Sequence, residues 1–268
     1  MSLIRLGMRV AVVQALRGRT LVGDNVLDSE IGALETDANG MLRSGQKKPF
    51  VIVYTDKTDR RDEEGWPRDF ASNGMTDLVF EIGIAATMFD RDPDEGTAEV
   101  FAGIPPTDRA FEFHLDVVCR QIADALRDSD NAWSKVVLGL STEIVRIERA
   151  RASSTEQVGR LAAAQLRVTL KLIEDPPRGE PINPVTPFGQ LLALMEESGA
   201  TDLVAYATTI RSLLAGDHEP WRIAQERMGL SASEVAALGI GPIEYGAEID
   251  DLTIEVGGLG SVAVTGDD

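Results

Sequence analysis

The sequence predicts an α+β protein with an appended, mainly helical C-terminal module, and three observations carry that prediction. Helical and strand periodicities are interleaved through roughly the first 180 residues. Four prolines within Pro176–Pro184 then interrupt every pattern. Beyond them the apolar residues recur at helical spacing until a short, glycine-punctuated end.

Taken in order, Leu3, Leu6, Val10 and Val13 form one stripe of a helix over Leu3–Leu16. Ser2 is its expected N-cap and Gly18 its stop, and Arg5, Arg9 and Arg17 lie off the stripe. An Asp-rich arm, Gly23–Ser29, follows the turn. Phe50–Tyr54, inside the segment Pro49–Asp56, is apolar on both faces, which predicts a strand at the centre of the sheet. The charged stretch from Asp56 to Asn73 reads as a long exposed hairpin loop. From Asp77 to Ala85 the period is two, with Leu78, Phe80, Ile82 and Ile84 on the buried face.

Phe111, Leu115, Val118, Ile122 and Leu126 mark a second amphipathic helix, capped by Thr107 or Asp108 after Pro105-Pro106. Trp133, Val136 and Val137 extend the apolar material, and Ile144, Val145 and Ile147 suggest a further strand. Glu148–Gln157 reads as a polar connection, and Arg160–Ile173 as a long alternating strand whose polar face is solvated or at an interface. The proline stretch is a stiff linker, dividing an assembly domain of residues 1–178 from a module of residues 185–268. Three helices are expected in that module, around Leu191–Met195, over Leu203–Leu214 and over Trp221–Met228, with a hairpin over Leu252–Val264.

Composition narrows the function classes. A chain of 268 residues that is 43% hydrophobic can bury a real core. A single cysteine, Cys119, excludes an intramolecular disulfide framework and points to a reducing interior. The opening residues do not form a signal peptide, because Arg5, Arg9 and Gln14 interrupt the apolar run, and no segment approaches the ~20 apolar residues of a membrane span. The net charge of −18 disfavours phosphate and anionic lipid, so general nucleic-acid binding is not expected.

No constellation carries catalysis. Cys119 sits beside an apolar stripe, His114 lies in an acid-bearing helix, and His218 belongs to the helix-start phrase Asp217-His218-Glu219-Pro220. Asp56, Asp59 and Asp62 lack the alternation of a calcium loop. Gly257-Gly258-Leu259-Gly260 lacks the Lys-Ser/Thr of a phosphate cradle. Trp221–Leu238 has the cadence of a helix-turn-helix, but Ala232, Glu234, Ala236 and Ala237 would repel or ignore DNA. No catalytic, cofactor or metal residue is therefore assigned, and the chain is expected not to be an enzyme.

Six phrases, Leu3–Ala15, Gly23–Glu30, Pro49–Asp56, Leu78–Ala86, Leu115–Leu126 and Leu161–Leu172, together resemble the tail terminator (tail completion) proteins of long-tailed bacteriophages. The resemblance covers about two-thirds of the chain; the helical region after Pro181 departs from simple terminators. It implies a mixed, largely antiparallel sheet packed against helices, and a homo-oligomer closing into a hexameric ring in the virion neck, assembled in the host cytoplasm. The implied partners are the tail tube protein and a head-side connector or stopper, with DNA passing through the lumen unbound. Edge strands are needed for such a ring, and the arm (Asp24, Asn25, Asp28) and the loop (Arg60, Arg61, Trp66, Phe70) are the expected interface. A stopper or adaptor of the same neck, an acidic transcriptional regulator using the C-terminal helix pair, and a hydrolase are the alternative readings.

Overall fold

A computed structural model describes residues 2–30, 35–36, 42–43, 46–59, 73–91, 98–153, 160–216, 218–241, 251–256 and 260–265. The fold is α+β. Helix α1 (Leu3–Leu16) starts the chain, with the Ser2 hydroxyl accepting from the Arg5 N–H as the sequence predicts. Strands β1 (Val26–Asp28), β4 (Phe50–Asp59), β5 (Met75–Gly83), β9 (Arg160–Leu172) and β8 (Ser141–Ser153) form one sheet in the order β1-β4-β5-β9-β8. Only β1 and β4 run parallel; every other pair is antiparallel. The strands β2 (Glu35–Thr36), β3 (Leu42–Arg43), β6 (Ala86–Arg91) and β7 (Ala98–Gly103) form a second, four-stranded sheet that the sequence patterns do not announce.

The register sorts the main sheet's side chains. Val51 and Val53 lie beside Ile82 and Phe80, which lie beside Ala164 and Leu166, so one face is apolar across three strands. Helices α1, α2 (Arg109–Leu126) and α3 (Ala132–Leu140) supply the rest of that core. The other face is polar toward one end of the sheet: Tyr54 donates to Glu81 at 2.7 Å, and Thr169 donates to Asp77 at 2.7 Å.

Four expectations are corrected. The centre of the sheet is β5, not β4; β4 has neighbours on both sides, which is all that a doubly apolar strand requires. Helix α1 is buried over far more than one stripe, Ile4, Met8, Ala11, Val12 and Leu16 included, because it packs against α2, α3, α4, β1 and β4 at once. The supposed connection Glu148–Gln157 is strand as far as Ser153; its backbone pairs with β9 although residues 148–150 are exposed and the sequence shows no apolar alternation. The start of the charged loop, to Asp59, belongs to β4, while at its end Asn73 is buried and donates to the Ile173 carbonyl at 2.7 Å.

The helices beyond the prolines are α4 (Pro187–Glu197), α5 (Thr201–Leu214), α6 (Pro220–Met228) and α7 (Ala232–Leu238), followed by the antiparallel hairpin β10 (Asp251–Val256) and β11 (Gly260–Thr265). Helix α4 packs on α1 and α3, and α5 packs on α4. Phe188, Leu191, Leu192, Met195, Leu203, Ala207, Ile210 and Leu214 join the same buried cluster as the sheet, so the hydrophobic core continues across the linker. The linker itself is tied down: Gly179, at φ +82, donates its N–H to the Leu214 carbonyl at 3.0 Å, and the His218 side chain occupies the space that a Cβ there would need.

Candidate assembly surface

The exposed edge of the main sheet is β8. It is held as a strand through its inner edge, where Ile147 pairs with Val168, Glu148 with Arg167 and Arg149 with Leu166. Among the described residues β9 is its sole strand neighbour, so the outer row of N–H and C=O groups is available to another strand. Residues 142–150 are all exposed. Three of them are β-branched apolar residues, Ile144 at 57%, Val145 at 41% and Ile147 at 63% of full exposure. The same stretch also carries the charges Glu143, Arg146, Glu148, Arg149 and Arg151, so pairing along it is selective for a strand of complementary charge order.

Charge surrounds those apolar residues. The Arg146 guanidinium meets Glu148 at 2.6 Å on one face of the strand. On the other face Arg149 meets Asp116 of α2 at 2.5 Å, and Arg151 meets Glu112 at 2.6 Å and Asp116 at 2.9 Å. These pairs hold β8 to α2 and leave Ile144, Val145 and Ile147 as the outward apolar element. Residues 141–172 carry six basic and three acidic residues and are net basic in a chain of net −18, as are the first 22 residues with four arginines and no acid.

The arm residues take up other tasks. Asn25 donates its side-chain amide to the Pro49 carbonyl at 3.0 Å, and its own carbonyl accepts from Val51, so it registers β1 on β4. Asp28 pairs with Arg9 of α1 at 2.5 Å. Asp24 is exposed and, with Asn25, Gln46, Lys47 and Lys48, lines an open depression. Arg60, Arg61, Trp66 and Phe70 lie outside the described residues. The structure thus brings Asp24, Asn25 and Asp28 to the β1 edge, opposite β8, and Ile144, Val145, Ile147 and the arginines of β8 form a surface that the sequence reading passed over. Its signal was present as an Ile-Val-x-Ile run followed by arginines.

Burial pushes the Cys119 thiol up, and the nearby Arg149 and Arg151 counter only part of that shift. His218 faces Glu226 at 3.5 Å, beside the linker. No group of three or more His, Cys, Asp or Glu able to hold a metal occurs among the described residues. None of the described helices is long and apolar enough to cross a membrane. In α7 the residues facing solvent include Ala232, Ser233, Ala236 and Ala237, which offer no cation to a phosphate backbone. No family model, curated protein or solved structure matches the chain.

Proposed function

We propose that this chain is a structural, ring-forming subunit of a long-tailed bacteriophage neck, a tail terminator that caps the tail tube, ends its polymerisation and joins it to the head-side connector. One observation carries the reading. The six phrases that resemble that family all fall within a single sheet-and-helix unit: α1, the β1 arm, β4, β5, α2 and β9, with β1, β4, β5 and β9 adjacent in the sheet. Convergence in space of segments spread over 170 residues is what a shared plan requires.

Charge supports the same reading. An acidic subunit repeated around a pore gives a lumen of negative potential, past which DNA slides without adhering. The arrangement asks for partners, not substrates: a tube protein on one side, a connector on the other and copies of itself between them. The test is electron microscopy of a lysate lacking this protein. A terminator's loss yields filled heads without tails alongside tubes of abnormal length, since an uncapped tube keeps adding subunits. Tails of normal length with heads that leak DNA would instead assign the chain to a stopper of the same neck.

A further inference from the structure

The β8 edge is self-complementary. Read outward from Ile147, the strand places Arg146 on one side and Glu148 on the other. Glu143 lies toward its start, and Arg149 and Arg151 toward its end. In an antiparallel approach of two copies centred on Ile147, Ile147 meets its counterpart on the two-fold axis. Arg146 then faces Glu148 of the second copy and Glu148 faces its Arg146, while the acidic start of each strand approaches the basic end of the other. A parallel approach would set like charges opposite each other, which costs cross-strand energy. Arg146, Ile147 and Glu148 are in regular register with β9, so the three central pairs form without a bulge, while the pairs beyond them meet the register shift between Ile144 and Arg146.

We infer that β8 pairs antiparallel with β8 of a second copy of this chain, making an isologous dimer with one sheet running through both molecules. Each of its parts is on the surface already: the outer edge of a 13-residue strand that has no second strand neighbour among the described residues, Ile144, Val145 and Ile147 exposed together, and the charge order that makes the strand its own complement. A two-fold contact of this kind cannot build a six-fold ring, which needs heterologous contacts. The inference therefore goes beyond the ring reading. It assigns the free protein a dimeric state that covers the sticky edge.

Sedimentation velocity of the full chain across a range of concentrations tests it, with circular dichroism confirming that each variant is folded. The side chains concerned are exposed, so their replacement leaves the core untouched. The wild-type chain is expected to sediment as a dimer. Ile147→Lys, which sets two cations on the axis, is expected to give monomer. Arg146→Glu and Glu148→Arg are each expected to weaken dimerisation at least about tenfold, since each puts like charges across the interface, and the double exchange R146E/E148R is expected to restore it. A wild-type monomer, β8 variants that dimerise like wild type, or a double exchange that fails to rescue would each overturn the inference. A hexamer indifferent to all of these variants would also overturn it while supporting the ring, so the two readings fail separately.

Discussion

Helix α1 approaches α4 at Gly7, where a methyl group would fall inside the van der Waals envelope of Leu191 Cδ2 and 3.7 Å from its Cγ. Leu191 is wholly buried, so it has little room to turn away. Gly7→Ala therefore combines an overpacking cost of about 1–3 kcal/mol with a helix-propensity gain of about 0.5–1 kcal/mol, a net destabilisation of up to about 2.5 kcal/mol. Leu191→Ala alone is expected to cost about 2–5 kcal/mol. With Leu191 truncated the added methyl meets no obstacle, so Gly7→Ala should then stabilise by about 0.5–1 kcal/mol. The sign of the Gly7 substitution reverses between the two backgrounds. Urea unfolding of the four proteins, followed by circular dichroism at constant m-value, reads this directly. If Gly7→Ala stabilises equally in both backgrounds, α4 does not pack on α1 and the region after the prolines is a separable module after all.

Asp175 accepts from Ser2 Oγ, the Leu3 and Ile4 N–H groups and the Asn73 side chain, fastening the end of the sheet to the start of α1; Asp175→Ala should cost about 1.5–3 kcal/mol in urea unfolding. Burial first, and then the hydrogen bond to Glu81, hold the Tyr54 hydroxyl well above the ordinary phenol range. Because the folded state keeps that proton more tightly than the unfolded chain, this contribution is full below pH ~10 and declines as the pH rises further. An absorbance titration should show phenolate withheld until alkaline unfolding, and Tyr54→Phe should remove that late component. The Cys119 thiol, buried and shifted up by that burial, should react with a thiol reagent at pH 8 at least about tenfold more slowly than a free cysteine until the protein is denatured.

Where periodicity was strong, the sequence was readable. The bounds of α1 follow from apolar spacing, and α2, β5 and β9 are placed by it to within two residues at each end, helped by caps such as Asp108, whose carboxylate accepts from the Phe111 N–H. The pairing of β10 with β11 follows from two apolar alternations on either side of a glycine-rich run in the sequence. The second sheet was hidden because β2 and β3 are two residues each, too short to carry a period. The continuous core was hidden for a different reason. A run of prolines marks where regular structure stops, and says nothing of whether the helices beyond it return to the same core, as Leu191 and Leu192 do. The start of β8 was legible in Ile144, Val145 and Ile147, but its continuation was not, because Glu-Arg-Ala-Arg is held as strand by pairing with β9 and shows no buried face.

The same charge that keeps DNA from adhering also sets copies of this chain against one another. Each carries −18, and at physiological salt such repulsion acts over roughly 8 Å, farther than any single cross-strand pair. Association therefore depends on a place where opposite charges can meet and apolar surface is gained, and β8, with Arg146 and Glu148 beside Ile144, Val145 and Ile147, is such a place. A sign test follows. If apolar contact at β8 drives self-association against global repulsion, raising salt from about 0.05 M to about 0.5 M should tighten it, because the long-range term is screened and the apolar term is not. If the Arg146 and Glu148 pairs carried the energy alone, the same salt would loosen it. Tightening in the wild type, and a still larger tightening in Arg146→Glu where like charges have been added, is the expected pair of results; loosening in the wild type would leave the charge pattern as the driving term and remove the isoleucines from that role.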